Sequence, residues 1–509
     1  MSTPVTPVPR TDNPFLQDGL ERDPDGVLRY TDMPTTLLDV LRTHVGEHPD
    51  AEAVVELGGP RLTYAQLWRR AAQVAGGLKA RGVTRGDRVA VRYPAGTDWA
   101  LAFWGTLMAG GVALAVNTRS APGEVDFVLA DAGAKVDLAP GTPLPDADPY
   151  LTTGLGPADT AALFYTSGTT GRPKGVPTTH EAFLTNAENL VRSLGIPRDI
   201  GTELRTLISV PLFHVTACNS QFVTAACLGG TSVILPELDL PRLTAALGSE
   251  RISFLVTVPA VYALLLRHPG FSGADVSTVR WLAYGGAPIA PSLVRSLQKA
   301  FPEAAVSNGY GMTETASLIT VLPDQDAARH ADSVGYAVPS VELGVAPTGD
   351  DPWYGELLVR GATVTAGYWG AAPTEERADG WLNTGDVVRV DEAGRVHIVD
   401  RLKDIINRGG ENISSVEVEA VLLTAPGVLD AAVLAVPDEV MGEKVGAVLH
   451  MDRADPDVNV VVAHCRDRLA DFKVPQYAVV VTEPLPRNPG GKLLKNQLRR
   501  GVQWGKPLR

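Results

Sequence analysis

From Thr35 to about Ile405, segments with helical spacing of apolar residues alternate with short runs of β-branched residues. That alternation constrains the fold most, because a strand–helix–strand series buries its strands as parallel sheets with helices on both faces. Thr63 to Arg81 reads as an amphipathic helix, with Leu67, Ala71, Ala75 and Leu78 on one face. Arg88 to Tyr93 reads as a strand and Asp98 to Met108 as the next helix. The pattern recurs at Ser232–Leu235, Pro241–Leu247, Ser253–Val258 and Arg280–Ala283. No repeat of fixed period is present. The expected class is α/β: a large, multi-lobed N-terminal region of parallel sheets covered by helices, followed by a small α+β domain.

Composition marks the boundaries. Residues 1–34 are rich in Pro, Asp and Thr and are expected to form an irregular arm over the surface. Leu138 to Pro157, rich in Pro, Gly and Asp, reads as a connector between two lobes of the large region, 35–402. After Asp400 the chain becomes dense in charge and Gly, and a new series begins. Val416–Leu423 and Ala463–Ala470 read as helices, and Ala431–Val436, Lys444–His450 and Tyr477–Val481 as strands. Residues 403–509 are therefore expected to form an independent C-terminal domain. The net charge of −13 speaks against nucleic acid or an acidic membrane as the partner. Cys218, Cys227 and Cys465 show neither metal-ligand spacing nor a disulfide framework, which fits a reducing cytoplasm. The N-terminus lacks the apolar core of a signal peptide, and the apolar run Trp99 to Val116 is broken by Gly and falls short of a membrane span.

Chemistry concentrates in Tyr165 to Val176, YTSGTTGRPKGV, directly after the strand-like AALFY. Hydroxyls and Gly N–H groups at Thr166, Ser167, Gly168, Thr169 and Thr170 can wrap phosphate oxygens, and Lys174 adds a point charge. The segment is not a Walker A loop, since Lys174 follows Pro173 and no Ser or Thr comes directly after it. Taken alone, such a stretch is more often a hydroxyl-rich turn. Its residue order, however, resembles the signature of AMP-forming acyl-adenylate ligases, the family of acyl- and aryl-CoA synthetases, peptide-synthetase adenylation domains and luciferase. Four further motifs follow in family order: NGYGMTET at 308–315, WLNTGD at 381–386, DRLKDIINRGGENISSV at 400–416 and PRNPGGKLLK at 486–495. The resemblance covers Thr35 to Arg499 and is closest in look to acyl-CoA synthetases.

The resemblance implies ATP, Mg²⁺ and CoA as cofactors and co-substrates, and assigns roles that the residue types suit. Lys174 would hold the β- and γ-phosphates and Glu314 the magnesium ion, a hard cation that takes few protein ligands. Thr313 would donate to the α-phosphate, and Asn308, Tyr310 and Gly311 would border the adenine, with Tyr310 offering a flat face. Gly285, Gly286, Ala287 and Pro288 form a turn expected against adenine and the acyl pocket, where small residues allow close backbone approach. Asp386 would take the ribose hydroxyls, helped by Arg401. Lys492 would grip the substrate carboxylate and the α-phosphate as negative charge builds. Lys403 stands where the family's C-terminal domain swivels, which makes that domain mobile, and Gly409 and Gly410 resemble the loop that lets pantetheine pass. Met441 departs from the aromatic often found there.

Lys492, Thr313 and His214 are the expected catalytic residues; His214 and Val215, with Gly285 and Gly309, are expected to border the acyl pocket. Amino-acid-adenylating domains carry an Asp directly after the aromatic that Phe213 resembles, to pair with the α-ammonium. An unpaired ammonium in an apolar pocket costs roughly several kcal/mol. With His214 there, the expected substrate is a hydrophobic carboxylic acid without an α-amine: fatty, aryl or polycyclic. CoA is the expected acceptor, with a separate carrier protein as the alternative, since too few residues follow Lys492 for a fused carrier domain. A non-catalytic nucleotide-binding relative is disfavoured by the joint presence of Lys174, Glu314 and Lys492. The stretch between Asn117 and Tyr165 is shorter than the family usually has, which leaves a trimmed N-terminal sheet and an altered acyl pocket open.

Overall fold

The structure, a computed structural model, describes residues 5–166, 173–370, 380–409, 411–452, 457–487 and 493–508. The expected α/β alternation is present in two sheets. The larger has nine strands; its parallel centre runs Ala305–Met312, Trp281–Gly285, Phe254–Thr257, Arg205–Ile208, Thr231–Ile234, Glu52–Glu56. Antiparallel strands Ser317–Leu322 and Arg61–Thr63 flank that centre. In the five-stranded second sheet, Arg88–Val91, Val112–Ala115, Ala134–Leu138 and Thr160–Thr166 are parallel, and Lys174–Thr179 closes one edge antiparallel.

Helices of the large region form where the periodicity placed them. Tyr64–Ala80 opens on a capping box: Thr63 Oγ1 accepts from Gln66 N at 3.2 Å, and Gln66 Oε1 accepts from Thr63 N at 3.0 Å. Apart from the exposed Asp98 in its first turn, Thr97–Met108 is buried along its whole length, with Trp99 and Trp104 inside. No helix among the described residues is long and apolar enough to cross a membrane.

Three expectations need correction. The arm is not wholly irregular. Thr6–Pro7 adds a strand to a third sheet, and Leu20–Arg22 pairs with Leu28–Tyr30. Phe15 and Tyr30 are buried, and the Tyr30 hydroxyl donates to Asn189 Oδ1 at 2.8 Å. Its few apolar side chains and its Arg10 and Asn13 bonds to carbonyls of Val341 and Ala337 fasten it down. Secondly, the connector after Leu138 does not join two lobes: the strands on either side of it, Ala134–Leu138 and Thr160–Thr166, belong to one sheet. Pro and Gly there mark irregular chain, not a boundary. Tyr150 N donates to Ala72 O and Ala147 N to Gln73 O, so the connector lies along the helix Tyr64–Ala80. Thirdly, the short stretch after Asn117 still supplies the helix Pro122–Ala132 and an edge strand.

An antiparallel sheet that the alternation did not foretell follows: Thr6–Pro7, Glu342–Pro347, Tyr354–Arg360, Leu382–Val390 and Val396–Arg401. The chain leaves it at Arg401 and enters a further sheet at Ile406, built on the hairpin Val428–Asp438 and Gly442–Met451, with Tyr477–Val481 parallel to the latter. The helix expected at Ala463–Ala470 lies earlier, at Val458–Arg466.

The connector's path makes one glycine decisive. A Cβ on Gly76 would stand 1.9 Å from the Asp148 carbonyl oxygen. Helix propensity alone favours Ala over Gly by about 1 kcal/mol, whereas overpacking costs about 1–3 kcal/mol. The obstacle is backbone, so overpacking wins. Gly76→Ala is expected to lower the melting temperature; an unchanged or raised value in thermal unfolding would contradict this packing.

Candidate active site

The parallel strands of the large sheet all point their carboxyl ends the same way, which is where open α/β sheets hold ligands. Arg205–Ile208 leads to Phe213 and His214, Trp281–Gly285 to the Gly286–Ala287 turn, and Ala305–Met312 to Thr313 and Glu314. Gly286 has φ +74°, a left-handed turn that suits glycine. Gly285 and Gly309 face each other across adjacent strands, and a Cβ on Gly285 would lie 2.3 Å from the Gly309 carbonyl oxygen. Glycine at 285 is therefore required by the close approach of the neighbouring strand. Val215 is buried, and His214 caps the short helix that follows it. Burial, aided by the charge of Arg119, pulls the His214 imidazole down to about 4, so it is neutral near pH 7. Its ring lies against Phe213, centroids 4.6 Å apart.

Strand Ala305–Met312 is the centre of the arrangement. The Tyr310 hydroxyl donates to Asp386 Oδ2 at 2.6 Å, and Arg401 Nε stands 3.2 Å from Asp386 Oδ1. Asp386 and Arg401 are cross-strand partners in the antiparallel sheet. Burial, with the Asp386 charge adding, holds the Tyr310 hydroxyl far above its ordinary range, so it stays a donor. The Tyr310 hydroxyl thus ties the two sheets together. The Asn308 amide is turned to the Ser333 carbonyl at 3.4 Å.

After Met312 the chain makes a tight turn, Thr313–Thr315, and reverses into Ser317–Leu322. The reversal uses two non-glycine residues at positive φ, Ala316 (+54°) and Ser317 (+124°). Such conformations cost about 1–3 kcal/mol each and persist only when neighbours enforce them. Here the enforcing groups come from a buried turn of π-helix, Cys218–Val223, and from the helix His180–Leu194. Asn219 Nδ2 donates to Ala316 O at 2.8 Å, Ser220 Oγ to Ser317 Oγ at 2.9 Å, and Asn186 Oδ1 accepts from Leu318 N at 3.0 Å. The turn leaves Glu314 only 7% exposed. Gly311 is forced by the same reversal, since its Cβ would fall 1.4 Å from Ser317 O.

Thr166 ends one strand and Lys174 begins the next, and the two are register partners. The loop residues Ser167, Gly168, Thr169 and Thr170 lie outside the described residues, as do Gly410 and Lys492. Lys174 Nζ sits 4.5 Å from the centroid of the Tyr368 ring, whose hydroxyl donates to Glu314 Oε1 at 3.0 Å. Lys174 and Glu314 are thus brought to one aromatic side chain.

Among the described residues no group of three or more His, Cys, Asp or Glu could cage a metal. A single buried carboxylate, Glu314, near Lys174 fits magnesium, a hard cation that takes few protein ligands.

At the chain's passage between sheets, Asp404 N and Ile405 N both donate to Arg401 O, and Arg499 Nη2 donates to the Lys403 carbonyl at 3.2 Å. Burial pulls the Lys403 ammonium below its ordinary range. Asp400 accepts from Ser415 N and Ser415 Oγ, at 2.5 and 2.6 Å, and so caps the first helix of the following segment. Gly409 has φ +62°, and a Cβ there would meet Met441 Cε at 2.6 Å. Met441 therefore packs on the loop that the resemblance gives to pantetheine.

Sequence reasoning missed Tyr368, Asn219, Ser220, Asn186 and Asp400. Tyr368 sits in a GYWG run with no chemical signature of its own, and the polar residues of NSQ gain meaning only when seen buried. Asp400 was inside a motif but carried no assigned role.

The profile of the AMP-binding enzyme family matches residues 41–153 and 139–369, and that of the AMP-binding enzyme C-terminal domain matches residues 417–492. The chain is 38% identical to a feruloyl-CoA synthase of Amycolatopsis sp, over 91% of this chain and 97% of that protein. It is 34% identical to the long-chain-fatty-acid–CoA ligase FadD13 of Mycobacterium tuberculosis, over 90% and 97%. Its fold superposes on o-succinylbenzoate CoA synthetase (MenE) from Bacillus subtilis in complex with the acyl-adenylate intermediate OSB-AMP, with a TM-score of 0.84 and 27% identity, covering 93% of this chain and 100% of that one.

The Tyr310–Asp386 bond generates a prediction. Tyr310→Phe keeps the ring face and removes the donor, so ATP should bind about tenfold more weakly, the loss of one hydrogen bond to a charged group. Equilibrium binding of ATP measures this; parental affinity would free Asp386 from dependence on Tyr310.

Proposed function

We propose that this chain, which belongs to the AMP-binding enzyme family and is an AMP-forming acyl-CoA synthetase, takes a hydrophobic carboxylic acid without an α-amine. The overall reaction has two steps. A carboxylate oxygen attacks the α-phosphorus of ATP, the bond to pyrophosphate breaks, and an acyl-adenylate forms. The CoA sulfur then attacks the acyl carbon, and AMP leaves with its electron pair.

The observation that carries the substrate reading is His214. At about 4 its imidazole is neutral under ordinary conditions and offers no anion to an ammonium group. Phe213 against the His214 ring and the buried Val215 after it keep this surface apolar. The names of the relatives, a feruloyl-CoA synthase and a long-chain-fatty-acid ligase, agree with fatty or aryl acids.

Adenylation brings two anions together, so charge neutralisation and alignment dominate the catalysis. In this reading Lys174 holds the β- and γ-phosphates, Thr313 donates to the α-phosphate, and Asp386, oriented by Tyr310 and Arg401, accepts the ribose hydroxyls. A magnesium ion at Glu314 would offset phosphate charge when bound. Lys492 approaches the reacting carboxylate. The arm is 1–34, the ATP- and acyl-binding domain 35–402 and the mobile domain 403–509, with Lys403 as the hinge. The separate sheet that begins at Ile406 supports this division. Turning about Lys403 would withdraw Lys492 and bring Gly409 and Gly410 toward CoA. The Arg499 bond to the Lys403 carbonyl must open or follow that motion. The place of action is the cytoplasm, in keeping with three free thiols.

A pyrophosphate-release assay across fatty, aryl, polycyclic and α-amino acids, each with and without CoA, tests the reading. Hydrophobic acids without an amine should turn over, with thioester formed only when CoA is present. An α-amino acid outperforming all others would overturn the His214 argument, and release of adenylate without thioester would point to a carrier protein instead.

A further inference from the structure

We propose that Tyr368 is a positioning residue of the adenylation site: its hydroxyl orients the Glu314 carboxylate for the magnesium ion, and its ring seats Lys174 for the phosphates. The inference rests on the reading of Glu314 and Lys174 given above and adds a residue to it.

Tyr368 reaches the site on a strap, Gly361–Trp369, that is stitched to both elements it connects. Thr365 N donates to Glu314 O at 2.8 Å, at the turn that carries the carboxylate. Thr365 Oγ1 donates to Pro177 O at 3.2 Å and Trp369 N to Gly175 O at 2.8 Å, along the strand that Lys174 begins. The strap therefore has no freedom to carry the ring away without breaking the backbone bonds at Thr365 and Trp369, on either side of Tyr368. Gly175 is part of the same fit, since a Cβ there would lie 3.0 Å from both Trp369 Cβ and Tyr165 Cζ.

The two contacts of the side chain are chemically distinct. The ammonium of Lys174 meets the negative face of the ring at 4.5 Å, an attraction that places the charge without neutralising it. The Oε1 of the Glu314 carboxylate accepts from the hydroxyl at 3.0 Å, which holds that oxygen in place. Bridging the two through a neutral tyrosine avoids a direct lysine–glutamate ion pair. Such a pair would have to be broken before phosphate and metal could bind, whereas the ring leaves the ammonium's hydrogens for phosphate oxygens. A hydrogen bond from outside to a metal-ligating carboxylate typically alters metal affinity 10- to 100-fold.

Equilibrium ATP binding to the full chain separates the two contacts, measured once in EDTA and once across a Mg²⁺ titration, for the parent, Tyr368→Phe, Tyr368→Leu and Glu314→Gln. Tyr368→Phe keeps the ring and loses the hydroxyl. It should leave metal-free ATP affinity within about twofold and raise the Mg²⁺ needed for half-maximal tightening about tenfold. Tyr368→Leu should show that rise and also weaken metal-free ATP several-fold, because Lys174 loses its seat. Thermal unfolding of Tyr368→Phe at the parental temperature shows that the fold is intact. If Glu314→Gln shifts the Mg²⁺ titration and Tyr368→Phe does not, the hydroxyl's role is overturned while the metal reading stands. If Glu314→Gln titrates like the parent, the metal reading itself fails and takes the proposal with it.

Discussion

Strand Ala305–Met312 is bonded on both sides, parallel to Trp281–Gly285 and antiparallel to Ser317–Leu322, and it cannot do both without a sharp reversal after Met312. That reversal is the constraint on which the rest of the site depends. It puts Ala316 and Ser317 at positive φ, and the buried amide and hydroxyl of Asn219 and Ser220 hold them there. The result is a carboxylate, Glu314, buried at the end of a sheet with its position set by backbone rather than by a flexible loop. Tyr310, on the same strand, reaches the antiparallel sheet through Asp386, and Tyr368 ties Glu314 to the strand of Lys174. Three sheets thus share one line of residues.

Electrostatics explains why such rigidity is useful. The chain carries a net charge of −13 and must bind a polyphosphate and a carboxylate together. General attraction works against it, so neutralisation has to be local and prearranged. Lys174 on its aromatic seat and Arg401 against Asp386 are fixed in this way, while Lys492 belongs to the segment that is proposed to come and go. In the proposed reading, a neutral His214 at the acyl end offers no anion, which separates the polar work at the phosphates from recognition of the acid.

Much of this was legible in the sequence because it rests on local order. The α/β alternation foretold the two parallel sheets, and five short motifs in order pointed to the family. The parts that were not legible are pairings between distant residues. Nothing in NGYGMTET says that the Tyr310 hydroxyl will meet an Asp from WLNTGD, or that Asn219 will hold Ala316. The antiparallel sheet escaped notice because its strands come without intervening helices, and its first strand is contributed by the N-terminal arm. Pro and Gly in the 138–157 connector looked like a boundary, yet Gly76 and Gly77 on the facing helix were the complementary signal, small residues where another backbone passes close.

The central claim is that the nucleotide binds where these three sheets meet, and a crystal structure with ATP and Mg²⁺ tests it most directly. The account predicts ribose hydroxyls on Asp386 with the Tyr310 bond retained, the α-phosphate beside Thr313, and the β- and γ-phosphates at Lys174 with Tyr368 still under the ammonium. Nucleotide bound away from Asp386 and Glu314, or a Tyr368 swung out of the site on binding, would contradict it.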